Sequence, residues 1–449
     1  MSIFETVKKH KAAVGVSAAV NIGACLFGFD TGVAGGVVAL GSFKKDFNLL
    51  ASKSVYANAS SNVVTLLNAG AFFGALAPPL ASKFVGRKVL LAIAGVFFLL
   101  GGILQTAAQG PSLGMIYGGR VVAGLGVGMI SNVAPVFVAE CAPKELRGPM
   151  MSLFEMFLEA SNTLAYLRGA PANSAEIADE MAEIRAQIQE EVAATQGRSI
   201  REVFELHNFI RLLWALGVGL FAMWCGHNAI LYYGPTVFAQ IGYVGQNAAL
   251  MASGVFTCIK FASTILFILG GVQFFSRKTL MAGGAFFMGT FLFGLGGVLA
   301  THPPTAPGNG AGSSSAQGMM ALIYLFVVAY SVSWGPLQWV YIGEIFPTRI
   351  RDYGMAIGAA NIWLWNFVVS KITPTTVLNI GWKTWMIFGT LNICGCIFAL
   401  LLPETKNLSL EEMDVLFGVV DENTRKHDIE MNLQSKLQTG PPSTAGREI

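Results

Sequence analysis

Long apolar runs recur along this chain, and polar or charged residues bound each of them. A helix needs about 20 predominantly apolar residues to cross the hydrocarbon core of a bilayer. Such runs lie near residues 13–40, 62–82, 88–108, 113–139, 210–240, 247–272, 279–300, 319–343, 353–378 and 383–402. Lipid offers no partner to backbone N–H and C=O groups, so single segments of this length cross it as helices. The sequence therefore predicts an all-α membrane protein.

Composition supports this prediction and excludes other classes. Hydrophobic residues make up 53% of the chain and charged residues only 12%, whereas soluble domains carry about 25% charged residues. The net charge of +3 gives no reason to expect a nucleic-acid partner. The sequence has no CxxC pair, no metal-ligand spacing, no nucleophile arrangement and no phosphate loop. We therefore expect no metal, no cofactor and no enzymatic activity, and a lipid bilayer as the surroundings.

One pattern at the edge of an apolar run occurs twice. The segment Gly335–Arg351, GPLQWVYIGEIFPTRIR, contains a glutamate, a proline three residues later and an arginine seven residues later. The segment Glu140–Arg147 has the same spacing. Basic residues at such edges favour the cytoplasmic side. Two copies about 200 residues apart indicate two related halves, the layout of many secondary transporters.

Four segments resemble the signatures of sugar porters in the major facilitator superfamily. They are GFDTGVAGG at Gly28–Gly36, GRVVAGLGVG at Gly119–Gly128, the segment Gly335–Arg351 and PETKNLSLEEM at Pro403–Met413. The resemblance covers residues 13–417 and implies two pseudo-repeated helical bundles of six spans each. It also implies alternating-access transport of a monosaccharide or a related polyol or sugar acid.

The same features divide the chain into five parts. Residues 174–206 carry a long charged pattern at helical spacing, which predicts a helix between the halves. We assign residues 1–12 to a cytoplasmic N-terminus, 13–170 to an N-terminal transmembrane bundle, 171–208 to a cytoplasmic helical linker, 209–403 to a C-terminal six-span bundle and 404–449 to a cytoplasmic tail.

The N-terminal bundle is predicted to be incomplete. The stretch Pro149–Pro171 carries several charged residues and is a poor membrane span. Both of its ends should be cytoplasmic, and two crossings need about 40 residues, more than this stretch supplies. We therefore predict that part of span 5 and all of span 6 are missing near Leu158–Glu159. A genuine variant of ten or eleven spans is the alternative.

Two opposite charges lie inside predicted spans. Asp30 lies in the first apolar run and Arg120 early in the fourth. Each alone would be costly in the membrane, but together they can neutralise one another. Proton-coupled sugar porters carry this pair, so the resemblance implies that Asp30 is a proton site and that a proton is a partner. The alternative is a permanent salt bridge between the two spans.

The resemblance also identifies candidate substrate-binding residues: Glu155, Asn228, Tyr233, Trp339 and Asn366. An asparagine amide offers both a donor and an acceptor to hydroxyl groups. Trp339 matches the aromatic platform on which a sugar ring packs, and helix packing is the alternative role for this residue.

Two departures from the family pattern bear on specificity. Ala222 and Met223 stand where sugar porters have a pair of glutamines. Lys260, in the eighth predicted span, and Glu155 leave room for a sugar acid or a cyclitol such as quinate. His227 is interpreted as a packing residue.

A third set of residues matches the charge latches that close the cytoplasmic side of such transporters: Arg87, Glu140, Arg147, Arg277, Glu344 and Arg351. We expect these latches to break as the two halves rock.

Together these observations predict a multi-pass transporter of the plasma membrane that moves a small-molecule substrate by proton symport. The alternative is a transport-inactive or truncated relative that acts as a nutrient sensor or is a non-functional isoform.

Overall fold

The computed structural model describes residues 37–38, 40–50, 52–81, 85–141, 199–243, 246–267, 275–303, 313–347, 349–406, 413 and 417. In these ranges every regular element is a helix. Eight helical segments there are long and apolar enough to cross a membrane, and a shorter apolar helix covers Met251–Leu266. The predicted all-α membrane architecture is therefore confirmed.

The described part of the first half begins with short and long helices in alternation. They are α1 (Gly41–Asp46), α2 (Lys53–Leu76), α3 (Pro78–Ala81), α4 (Arg87–Thr106) and α5 (Gly114–Cys141). Helix α5 packs against both α2 and α4.

Glycines allow α2 and α5 to approach closely. A Cβ atom on Gly124 would overlap the carbonyl oxygen of Leu67, and one on Gly128 would overlap that of Ala71. Small residues serve this purpose in membrane helices because they let two backbones touch. The glycines of the GRVVAGLGVG segment therefore have a packing role.

A 3-10 helix, Ile200–Phe204, lies at the end of the linker, and eight helices follow it among the described residues. They are α6 (Leu206–Trp224), α7 (His227–Gln240), α8 (Gln246–Leu266), α9 (Arg277–Thr301), α10 (Ser314–Ser331), α11 (Trp334–Ile345), α12 (Arg351–Ile380) and α13 (Lys383–Leu401). Because α6 and α7 share one apolar segment, as do α10 and α11, these eight helices form the six apolar segments expected from the sequence.

Side-chain caps define several helix starts. The Ser276 side chain accepts from the backbone N–H of Thr279 at the start of α9. Before α6, Ser199 and Glu202 form a capping box around the 3-10 helix. Each of these caps satisfies backbone N–H groups that have no partner within the helix.

The two halves meet chiefly along α2 and α12, which pack against each other. Within the second half, α9 packs against α10 and α13, and α6 packs against α12. The predicted first span, the predicted gap in spans 5 and 6, and most of the linker and tail lie outside the described residues.

Candidate functional site

Two membrane-crossing segments are broken near their middles. Between α6 and α7, Gly226 has a φ of 92°, a left-handed conformation that glycine adopts without a steric penalty. Between α10 and α11, Ser333 has a φ of −139° and a ψ of −98° and interrupts the helix. Interrupted helices near the middle of the membrane expose backbone groups and are a common place for transporters to bind substrates.

A further irregularity lies inside α7. Tyr233 has a non-helical φ of −112° and ψ of 22°, two residues before Pro235. Proline lacks a backbone N–H and its ring crowds the carbonyl of the preceding turn, so it distorts a helix at this position. As a result, the adjacent Tyr232 and Tyr233 both reach α12.

The polar side chains that meet between the halves form what we call the polar centre. Its members share burial and mutual hydrogen bonds: Asn68, Asn228, Tyr232, Tyr233, Asn366 and Ser370. They come from α2, α7 and α12, so the polar centre joins the first half to the second.

Asn366 is the hub of the polar centre. Its Oδ1 accepts from Asn228 Nδ2 at 3.0 Å and from Ser370 Oγ at 3.2 Å. Its Nδ2 donates to the Tyr232 hydroxyl at 3.0 Å and, across the two halves, to Asn68 Oδ1 at 3.5 Å. These side chains are neutral donors and acceptors of the kind that bind hydroxyl groups. The hydroxyl groups of a polyol can take the place of their mutual hydrogen bonds one for one.

The structure also describes the surroundings of two predicted substrate-binding residues, Tyr233 and Trp339. The Tyr233 hydroxyl donates to the Ser370 carbonyl at 2.8 Å. Trp339 is partly buried and packs both against the core of the second half and against a small cluster that α2, α5 and α12 share. The structure therefore places Asn228, Tyr233, Trp339 and Asn366 at the contact between the halves.

Arg120 is buried in the first half. Its Nε donates to the backbone carbonyl of Val63 at 2.7 Å, which ties α5 to α2. Its predicted partner, Asp30, lies outside the described residues, and the ion pair between them stays a prediction.

A pair of basic side chains adjoins the polar centre. Lys260 Nζ lies 3.1 Å from His227 Nε2. The His227 ring is buried and stacks on Tyr330, with ring centroids 3.8 Å apart and an interplanar angle of 8°. His227 was expected to be only a packing residue, and its contact with Lys260 shows that it also has a polar partner.

We call the membrane edge at which Arg277, Arg349 and Arg351 lie the basic edge. Here Arg277 NH2 lies 3.3 Å from Glu344 Oε1, and the Thr405 hydroxyl donates to Glu344 Oε2 at 2.8 Å. Arg351, which lies nearer to Glu344 in the sequence than Arg277 does, donates to the carbonyl of Phe346 at 3.4 Å. Two members of the predicted latch, Arg277 and Glu344, are thus brought together.

Glu404, from the PETK segment, adds a second carboxylate to the basic edge. It accepts from the backbone N–H groups of Arg277 at 3.0 Å and Lys278 at 3.1 Å, at the start of α9. Partial burial acts to raise the pKa of Glu404, but these and other backbone donors outweigh it and hold the pKa below its usual range. A carboxylate at a helix N-terminus is favoured by the helix dipole as well.

A further ion pair ties the end of the linker to the basic edge. Arg349 Nε donates to Glu202 Oε2 at 2.6 Å and its NH2 donates to Oε1 at 3.1 Å. The hydrogen bond from Arg349, with that from the Ser199 backbone, lowers the pKa of Glu202. Because Arg349 contacts both carboxylate oxygens, this ion pair fixes the position of the segment before α6 relative to the segment before α12.

Other predicted site residues are not placed. Asp30, Arg147 and Glu155 lie outside the described residues. Arg87 begins α4 and Glu140 lies near the end of α5, but their side chains are outside the described set, so their latch roles stay predictions.

Several functional candidates were missed from the sequence. Asn68 and Ser370 belong to the polar centre, and Glu202 and Glu404 belong to the basic edge. In the sequence, the signal for Asn68 and Ser370 is that each is a polar residue inside an apolar run. Only the fold shows which partner each one meets.

Most of the chain is similar to known transport proteins. Residues 16–166 and 156–417 match the family model described as "Sugar (and other) transporter". A probable quinate permease of Aspergillus clavatus is 30% identical over 470 positions, which cover 90% of this chain and 87% of that protein. The quinate permease of Emericella nidulans is 29% identical over 480 positions, covering 90% and 88%.

Solved structures show the same fold. The proton:xylose symporter XylE, bound to 6-bromo-6-deoxy-D-glucose, gives a TM-score of 0.71 at 23% identity, covering 91% of this chain and all of that chain. An inward-open structure of the xylose transporter XylE from E. coli gives a TM-score of 0.66 at 24% identity, covering 90% and 99%.

The alignments also bear on the predicted gap. The Aspergillus clavatus alignment spans 470 positions, yet 90% of 449 residues is about 404, so about 66 positions hold no residue of this chain. The two family matches overlap at residues 156–166, where the sequence predicts missing spans.

Family matches over most of the chain, the quinate permease relatives and the shared fold lead to one conclusion. This chain is a multi-pass membrane protein that belongs to the sugar porter family of the major facilitator superfamily.

Proposed function

We propose that this protein is a secondary active transporter of a polyhydroxylated ring, either a monosaccharide or a related polyol or sugar acid. The observation that carries the proposal is the polar centre, a buried set of neutral amides and hydroxyls at the contact between the two halves. Alternating access requires a site whose contacts change as two bundles rock around it. A site built from α2, α7 and α12 meets that requirement.

Among substrates, we favour a carboxylated cyclitol of the quinate type. The relatives described above are named quinate permeases. The two glutamines typical of sugar porters are replaced here, and Met223 offers only its sulfur, which accepts from Asn228 Nδ2 at 3.2 Å. Because α6 has fewer hydroxyl-binding groups, we favour a substrate that the protein recognises in part through a group other than a hydroxyl.

We further propose that transport is coupled to protons through Asp30 and Arg120. Arg120 is 1% exposed, so its charge needs compensation from a buried anion. Protonation of Asp30 would remove that compensation. The charge of the pair would then be linked to the conformation of the transporter during alternating access. We place the protein in the plasma membrane.

The proposal is tested by uptake of labelled quinate into cells or proteoliposomes that contain the full chain. We expect saturable uptake that an inward proton gradient drives above equilibrium. In Asp30→Asn, accumulation against the gradient should be lost while exchange of internal for external quinate continues. Unchanged accumulation in this variant would contradict the proton assignment.

The same assay separates transport from the alternative of an inactive relative. Quinate, xylose and inositol should be tested in parallel, together with a version in which the predicted missing segment is restored. Absence of saturable uptake for all three by the chain as it stands, with uptake by the restored version, would favour the truncated, inactive form.

A further inference from the structure

The pair formed by His227 and Lys260 has an unusual electrostatic setting. His227 lies within the apolar segment Leu206–Gln240 and Lys260 lies within α8. Tyr330 and Phe256 cover the imidazole on its faces, with ring centroids 3.8 and 5.9 Å away. Lys260 Nζ lies 5.8 Å from the centroid of the Tyr330 ring. Aromatic stacking therefore holds the imidazole in one orientation and directs its Nε2 at the lysine.

The chemistry of the two groups assigns the direction of the hydrogen bond between them. A protonated lysine has three donor hydrogens and no acceptor, so with Lys260 protonated it donates and His227 Nε2 accepts. The imidazole then carries its hydrogen on Nδ1, which is buried and has no hydrogen-bond partner among the described residues. The pair carries a net positive charge and retains donor hydrogens on Lys260.

No described side chain supplies the matching negative charge. Acidic residues with described side chains all lie at or beyond the ends of the membrane-crossing helices: Asp46, Glu202, Glu205, Glu344, Asp352 and Glu404. A positive charge near the middle of a membrane is costly unless an anion compensates it. The site therefore calls for an anion from elsewhere.

Proximity to the polar centre identifies that anion. His227 is the neighbour of Asn228 at the start of α7, and Asn228 binds Asn366 at 3.0 Å. The two residues are consecutive, so the pair and the polar centre adjoin at the start of α7. Lys260 is partly buried, and its ammonium group lies beside the His227 ring at the start of α7.

We propose that Lys260 binds the carboxylate of the transported substrate, while the polar centre binds its hydroxyl groups. His227 is a positioning residue, because it acts through its hydrogen bond to Lys260 Nζ. The inference rests on the proposed function and makes it more specific: the substrate is a carboxylated polyol rather than a neutral sugar.

The test compares two probes that differ in the charge of one group. Quinate carries a carboxylate, and its methyl ester has the same ring hydroxyls without the charge. Binding of each is measured by calorimetry to the full chain in detergent. In Lys260→Met, affinity for quinate should fall by about tenfold or more, the range for loss of a charged hydrogen bond, while affinity for the ester stays within a factor of about two.

Two further variants keep the test informative if Lys260→Met folds poorly. Lys260→Arg retains the charge and should keep the preference for quinate over its ester. His227→Gln, which retains an acceptor, should weaken quinate binding less than Lys260→Met does. Lys371→Met is the matched control, because this lysine lies on α12 and its Nζ contacts Asn62; it should leave the preference unchanged.

The outcomes distinguish this inference from the proposed function. Equal loss of quinate and ester binding in Lys260→Met, or loss of neither, would overturn the carboxylate site alone; equal loss would indicate that an acid of the chain neutralises Lys260. Wild-type protein that binds neither probe would overturn both the carboxylate site and the quinate-type substrate.

Discussion

Charge is compensated differently at the basic edge and in the middle of the membrane. At the basic edge, Arg277 meets Glu344 and Arg349 meets Glu202, so opposite charges are paired within the chain. Near the middle, Lys260 meets His227, another base, and its Nζ lies 5.8 Å from the centroid of the Tyr330 ring. Paired charges stabilise one arrangement of helices, whereas an uncompensated charge favours a ligand. Under the proposed function, the edge holds the structure together and the middle binds the substrate.

The largest effect on stability is expected at the basic edge. Arg277→Met removes the base beside Glu344 and leaves a mostly buried carboxylate with only Thr405 among the contacts described above. Removal of one member of a fully buried pair costs 3–5 kcal/mol, and because Glu344 is partly exposed we expect about 2 kcal/mol. Thermal unfolding in detergent should show a fall in melting temperature of several degrees.

A double-mutant cycle serves as the control for this change. Arg277→Met combined with Glu344→Gln should recover part of the lost stability, because the uncompensated carboxylate is gone. A double variant as unstable as the sum of the two single variants would show that the pair does not interact.

An intermediate effect is expected at the polar centre. Asn366→Leu removes partners of Asn228, Tyr232 and Asn68. Under the proposed function Asn366 also binds a substrate hydroxyl. Loss of a buried hydrogen bond costs about 1–3 kcal/mol of binding free energy, so substrate uptake should fall by about tenfold or more. Uptake at a range of substrate concentrations would measure this change.

Asn361→Leu on the same helix is the control for that experiment. Asn361 Nδ2 donates to the carbonyl of Leu216 at 3.0 Å, which is a contact within the second half. This variant should lose some stability and retain its apparent substrate affinity. Equal losses of affinity in both variants would remove the distinction between packing and binding on α12.

The smallest effect is the pH dependence of stability at the basic edge. The pKa values of Glu202 and Glu404 lie below the ordinary glutamate value of 4.5. A lowered folded-state pKa gives stability that is fully present above that ordinary value and is lost as the pH falls through the lowered one. Melting temperature should therefore decline on acidification below pH 4.5.

Glu202→Gln should flatten that decline slightly, because one of the two titrating contacts is absent. Glu205→Gln is the matched control, since this exposed carboxylate makes no capping hydrogen bond at the start of α6. If both variants gave the same pH profile as the wild type, the Glu202–Arg349 contact would contribute no pH dependence.

Much of the fold follows from the sequence, because the bilayer imposes a strong constraint on length and polarity. The six apolar segments of the second half coincide with the predicted runs. The breaks inside these runs were not predicted: Gly226 adopts a left-handed φ, and Pro235 distorts α7. These features depend on a few neighbouring residues.

Partner choice could not be predicted in the same way. Glu344 lies five and seven residues from Arg349 and Arg351 in the sequence, yet its ion pair is with Arg277. Asn68 reaches Asn366 across the two halves. The rotation of each helix about its axis decides which side chains meet, and no local pattern determines that rotation.

By itself, the sequence determined the membrane-spanning class, the two related halves, the family and the positions of Asn228, Trp339 and Asn366 as candidates. The tertiary structure alone decided that these asparagines bind each other, that Glu404 joins the start of α9, and that His227 contacts Lys260. The reason is physical. Hydrophobic length and helix breaks are local properties, whereas charge compensation and hydrogen bonding inside a membrane depend on which helices pack together.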